Sequence, residues 1–150
     1  MRSAPLLLVL CACVTVRAPS TERVEVTPAR LARGAYLATA VTECVGCHSP
    51  RDWSFSLAPV RAGTEGSGGE ASDARMKFPG SVVPSNITGD GETGVGNASD
   101  GELRRAMQEG IGLDGRVMAW DRYAQMTTED LGAIYEYLRS LPPLPGPPAK

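Results

Sequence analysis

The sequence predicts a small all-α domain of three or more helices joined by long loops. Three observations lead there: two segments near the C-terminus carry complete helix start and stop signals, a third runs toward a Cys-x-x-Cys-His cluster, and no stretch alternates apolar and polar residues long enough to make a strand. At 150 residues, with 42% hydrophobic and 21% charged, the chain suits one compact domain rather than two. Aromatic residues make up only 5%, thin for a core built of protein alone, and a buried cofactor would supply the missing apolar area. A formal charge of −2 offers no basic surface and so no basis for a nucleic-acid partner.

The first stretch, "MRSAPLLLVLCACVTVRAPS", reads as an export signal over residues 1–18: one arginine, then an apolar run too short to span a bilayer. "LCAC" (10–13) resembles a bacterial lipobox with Cys13 as the lipidated residue, and "VRA" ending at Ala18 resembles an ordinary signal-peptidase site. Both exits put the mature protein in the periplasm or elsewhere outside the cytoplasm, and the first would anchor it to a membrane by lipid. Cys11 and Cys13 then belong to the leader, leaving Cys44 and Cys47 as the remaining pair. Residues 19–27 form a connector, 28–143 the folded domain and 144–150 a disordered Pro-rich tail.

The first domain helix starts at Thr27 as cap with Pro28 at the first helical position. Leu31, Ala35 and Ala38 recur at helical spacing, Gly34 would let another helix approach closely, and the helix is expected to run into Cys44. Residues 49–98 read as loop. Within them "RAGTEGSGGEAS" lacks the Gly-Lys-Ser/Thr ending of a phosphate cradle and is expected to be a flexible surface excursion. "NITGDGETGVGN" (86–97) lacks the ligand spacing of a calcium loop despite Asp90 and Glu92, and reads as packed turns. A second helix opens with the capping box "SDGE", Ser99 with Glu102, shows an apolar stripe of Leu103, Ala106 and Met107, and stops at Gly110. A third is capped by Thr127, buries Leu131, Ile134, Tyr135 and Leu138, carries Arg139 near its end and is terminated by Pro142–Pro143.

"TECVGCHSP" (42–50) holds the chain's one histidine directly after a Cys-x-x-Cys pair. A thiol–disulfide centre would need the pair at a helix N-terminus following a strand, whereas here it follows a helix. A zinc site needs four ligands, and the mature chain has no further Cys or His. A covalently attached haem uses every residue: Cys44 and Cys47 on one tight turn form thioethers, and His48 binds iron. With no second histidine, methionine sulfur is the natural sixth ligand. Met1 leaves with the leader, Met76 lies in a charged loop, Met107 is on the helix stripe, and Met126 makes a hydrophobic staple with Leu131. Met118 remains, in a loop where Trp120 and Tyr123 would shield an apolar ring. Met126 is the runner-up.

Taken together, "RGAYLATAVTECVGCHSPRDW", "SNITGDGETGVGNASDGELRRAMQEGIGLDGR", "VMAWDRYAQMTTEDL" and "AIYEYLRSLPP" resemble a class I-type cytochrome c, of the kind found as small mono-haem carriers and as cytochrome subunits of bacterial membrane-bound dehydrogenases. The resemblance covers about residues 28–143. It implies helices wrapped around one covalent haem c attached at Cys44 and Cys47, with His48 proximal, Met118 distal, and Asn86, Ile87 and Thr88 packed beside the haem. Three positions depart from the family pattern: Gly89 and Ala119 stand where it usually has Pro, and Ala98 where it usually has Trp.

The expected function is one-electron transfer between ferric and ferrous iron, with no substrate transformed by this chain and with redox proteins as donor and acceptor. Haem propionates would add negative charge, so partners with basic rims are expected, docking more weakly in salt. Two other readings remain: a lipid-anchored cytochrome subunit of a dehydrogenase or oxidase complex, and a gas-binding sensor or peroxidase-like protein with a weakly held sixth ligand.

Overall fold

The computed structural model describes residues 23, 25–71, 82–115, 118 and 121–146. The expected leader with Cys13, together with Met76, Ala119, Trp120 and residues 147–150, lies outside the described residues. No helix among those described is long and apolar enough to cross a membrane. The fold is helical, with no strand among the described residues; an isolated bridge pairs Arg51 with Val60.

Helix α1 (Pro28–Tyr36) starts as its sequence dictates, with Thr27 Oγ1 accepting from the Arg30 N–H at 3.2 Å. It does not continue as an α-helix to the cysteines. Over Leu37–Val41 the helix widens to a π-turn, and the Thr42 N–H and hydroxyl both donate to Leu37 O, at 2.8 and 3.0 Å. The Thr39 hydroxyl similarly donates back to Ala35 O. Threonine hydroxyls that bond nearby carbonyls compete with the regular ladder, which a reading of apolar spacing does not register. Glu43 then takes a left-handed conformation (φ 53°) and re-aims the chain into a separate short helix, α2 (Cys44–Cys47).

Helix α3 (Asp100–Gln108) has both halves of its capping box, and Gly110 turns away at φ 75°. Helix α4 (Thr128–Ser140) is capped by Thr127 and buries Leu131, Ile134, Tyr135 and Leu138. Helices α1 and α4 pack at Gly34, where a Cβ would stand 2.0 Å from Ala133 O, so only glycine permits that contact. Leu37, Ala38 and Cys44 join the buried side chains of α3 and α4 with Val95, Ala98 and Leu141 in one core. Arg139 ties α4 to α3 through Asp100 at 2.6 Å and to Ala98 O at 2.7 Å, while Glu136 lies 2.9 Å away. Charges this deeply placed are tolerable because they are paired.

Two expectations about loops are overturned. The glycine-rich segment is docked: Gly66 N–H donates to Ser49 Oγ (2.8 Å), Gly68 N–H to His48 O (2.9 Å) and Gly69 N–H to Pro84 O (3.0 Å). Gly69 serves close approach, since a Cβ there would lie 2.6 Å from Cys47 O. The start of the Pro-rich tail is likewise tied down. Asn86 Nδ2 donates to Leu144 O at 2.7 Å, the Leu144 N–H to Thr88 Oγ1 at 3.3 Å, and the Gly146 N–H to Thr93 Oγ1 at 3.0 Å. Proline blocks helix but leaves carbonyls that buried polar side chains can satisfy. The 86–97 segment is a set of packed turns, as expected, with Asp90 accepting from Thr93 and Glu92.

Candidate functional site

Helix α2 places Cys44 and Cys47 three residues apart on a single turn, and the His48 N–H donates to Cys44 O at 2.9 Å, so the histidine continues that turn. Neither cysteine is in a disulfide. Cys44 is buried and Cys47 half-buried. The one hydroxyl proton of Thr42 goes to Leu37 O, which leaves Thr42 Oγ1, 3.0 Å from the sulfur, to accept from the Cys44 thiol. Burial pushes both thiols above their ordinary range. A thiol–disulfide centre requires the opposite shift, so the electrostatics argue against that rival. Among the described residues no group of three or more His, Cys, Asp or Glu side chains is disposed to hold a metal ion.

His48 Nδ1 lies 2.7 Å from Ser85 O. A carbonyl can only accept, so Nδ1 carries the proton, and in the neutral ring Nε2 carries the lone pair that a metal needs. Around this turn the backbone is heavily braced. The Ser49 hydroxyl donates to Val45 O and accepts from Gly66 N–H. The Arg51 guanidinium reaches Gly46 O, between the two cysteines, at 2.7 Å, and Ala58 O at 3.1 Å. Thr42, Ser49, Arg51 and Ser85 all support the motif, yet sequence reasoning singled out none of them. Proximity to the motif was the signal available for Thr42, Ser49 and Arg51, whereas Ser85 comes from 37 residues away and acts through its backbone.

The other expected residues distribute unevenly. Met118 is half-buried, and its N–H donates to Gly110 O at 3.2 Å, which holds it at the end of α3. Met107 is buried in the core, and Met126 packs against it, as the stripe and staple predict. Tyr123 packs against the core and its hydroxyl donates to Thr42 O at 3.2 Å, beside the cysteine turn. Asn86 and Thr88 commit their side chains to each other and to Leu144, while Ile87 packs on the core. Val82, Val83, Ile111 and Leu113 are exposed large aliphatic residues on two segments joined by the Ser85–Asp114 hydrogen bond (3.2 Å). Two thiols outside any disulfide on one turn, followed by an imidazole whose Nδ1 is held by Ser85 O, fit a covalently held, iron-bearing apolar ring.

No protein-family model matches the chain. The fructose dehydrogenase cytochrome subunit of Gluconobacter japonicus is 32% identical over 138 residues, 87% of this chain and 26% of that protein. The gluconate 2-dehydrogenase cytochrome c subunit of Pantoea cypripedii is 34% identical over 110 residues, 70% of this chain and 22% of that protein. The cytochrome c subunit of the quinone-type alcohol dehydrogenase of Gluconacetobacter polyoxogenes is 31% identical over 126 residues, 79% of this chain and 26% of that protein. This chain is similar to the cytochrome c subunits of bacterial dehydrogenases. It spans about a quarter of the length of these curated relatives.

One of the departures from the cytochrome c pattern has a local rationale. The Gly89 N–H donates to Leu141 O at 3.3 Å, a bond proline could not make, and a Cβ there would stand 2.5 Å from Arg139 O. Ala98 is buried in the core, and its carbonyl accepts from Arg139. Gly89 thus lets the end of α4 close onto the 86–98 turns, whereas nothing in the structure explains alanine at position 98.

Proposed function

We propose that this chain is an exported, one-haem cytochrome c domain that passes single electrons between redox proteins and transforms no substrate itself. The observation that carries the reading is the single turn bearing Cys44, Cys47 and His48, with His48 Nδ1 held by Ser85 O. Cys44 and Cys47 would hold the haem covalently, and His48 and Met118 would be the axial iron ligands. When bound, the haem supplies a one-electron ferric/ferrous couple.

The chain's own residues hold that couple in one geometry. Burial around Cys44 excludes water, and the Ser85 carbonyl fixes the imidazole tautomer and orientation. Ser49, Arg51 and the Gly66–Gly69 segment stiffen the turn, so ligands need not move between oxidation states. Ile87 and Tyr123, packed on the core, would contribute apolar contact to the ring, as would Trp120, with Asn86 and Thr88 shaping the adjoining turns. Residues 1–18 support export, with Cys13 as a site of lipidation.

The test is the visible spectrum of purified protein, ferric and ferrous, beside a haem-stained denaturing gel, after expression with haem-attachment machinery. A stained band, with a far-red sulfur-to-iron charge-transfer feature lost in Met118→Ala, is the expected result. A stained band with a high-spin ferric spectrum would remove Met118 as ligand and favour a sensor or peroxidase-like role. Absence of covalent haem would overturn the proposal.

A second reading draws on the names of the relatives, which are subunits of dehydrogenases. In it the same domain is an electron-transfer subunit of a dehydrogenase complex, held at a membrane by lipid on Cys13. Co-purification of a catalytic subunit, and release of the protein from membranes by Cys13→Ser, are the outcomes it predicts.

A further inference from the structure

We propose that Tyr123 is a positioning residue for the sixth ligand, a strut whose phenol sets the Met118 segment against the cysteine turn. The inference rests on the reading of Met118 as that ligand. Residues 118–126 are tied at both ends to α3 and the residue that terminates it: the Met118 N–H donates to Gly110 O at 3.2 Å, and Gln108 Nε2 donates to Met126 O at 3.4 Å. Both of these tethers lie on the α3 side of the segment. Tyr123 reaches toward the cysteine turn, its hydroxyl donating to Thr42 O at 3.2 Å, 81 residues away in sequence.

Thr42 is well chosen as the anchor. Its N–H and hydroxyl grip Leu37 O, and its Oγ1 is 3.0 Å from Cys44 Sγ, so the strut lands on backbone already locked to the attachment turn. The Tyr123 ring packs against the core that includes Cys44. Burial pushes the phenol above its ordinary range, so the hydroxyl stays a donor. A thioether is a neutral ligand that an incoming base can displace, and its hold on iron depends on how well the surrounding chain presents it.

The experiment uses ferric holoprotein titrated with imidazole, read as loss of the far-red band. Tyr123→Phe keeps the ring and removes the bond, and it should bind imidazole about fivefold more tightly than wild type, the size expected for one lost neutral hydrogen bond. Tyr123→Leu should show at least that shift. Thr27→Ala, which removes the cap at the start of α1, a helix that carries neither tether of the segment, should lower thermal stability and leave imidazole affinity unchanged, separating positioning from general weakening. An intact band in wild type, lost in Met118→Ala, with unchanged imidazole affinity in Tyr123→Phe would overturn the strut alone. A band absent from wild type, or retained in Met118→Ala, would overturn the Met118 reading and the strut with it.

Discussion

The two sides of the candidate site are built differently. The Cys44–His48 turn is over-determined: Thr42, Ser49, Arg51, Gly66, Gly68 and Ser85 all bond to it or to its immediate neighbours, from four stretches of sequence. Among the described residues, the Met118 segment is held by a backbone bond to Gly110, a long bond from Gln108 and the Tyr123 strut. The contrast teaches where rigidity is needed. Two covalent attachments and an imidazole must be set on one turn before anything can bind, whereas a single sulfur has only to be delivered from one direction.

The largest break in that comparison should come from Gly69→Ala. The added Cβ would meet Cys47 O at 2.6 Å and Pro84 Cγ at 2.7 Å, atoms that cannot easily give way. A loss of about 3 kcal/mol in denaturant unfolding is expected, with reduced haem incorporation in the same preparation. Wild-type stability would mean that the glycine-rich segment does not brace the turn.

Arg51→Met comes next. It keeps most of the side-chain stem and removes two donors, leaving Gly46 O and Ala58 O without that partner. We expect about 1–2 kcal/mol lower stability, with the far-red band unchanged because the change lies on the cysteine side. Loss of the band in this variant would blur the distinction between the two sides.

The smallest effect concerns the element that carries the Met118 segment. Glu102 is held below the ordinary carboxylate range by the Ser99 N–H and then the Ser99 hydroxyl in the cap of α3. Because the folded value is the lower one, the stability it contributes is complete above the unfolded value near 4.5 and is lost as pH falls through the folded value. Glu102→Gln should therefore flatten the acid limb of the stability profile below about pH 5 while leaving the neutral region within about 1 kcal/mol of wild type. An unchanged acid limb would remove the cap from the account.

Much of this was legible in the sequence because it is local. Caps and stops act within a few residues, so Thr27, Ser99, Thr127 and Gly110 announce their helices whatever surrounds them. Cys44, Cys47 and His48 fall within five residues, so their shared turn follows from spacing. Gly34 is an intermediate case: its lack of a side chain invited a close helix, but the partner, Ala133, was set only by packing. Composition misled where glycine and proline were read as disorder. Gly66–Gly69 and Leu144–Gly146 are held by Ser49, Pro84, Asn86, Thr88 and Thr93, partners distant in sequence.

Helices α1, α3 and α4, their caps and the cluster of cysteines and histidine could be read from the chain alone, since each depends on near neighbours, whereas the π-turn and the separate α2 could not. Which nitrogen of His48 carries its proton, why Gly89 suits this chain, and how Tyr123 reaches the attachment turn came only with packing. Those outcomes depend on backbone carbonyls, of Ser85, Leu141 and Thr42, and a carbonyl has the same chemistry at every residue, so nothing in the sequence marks the one that will be used.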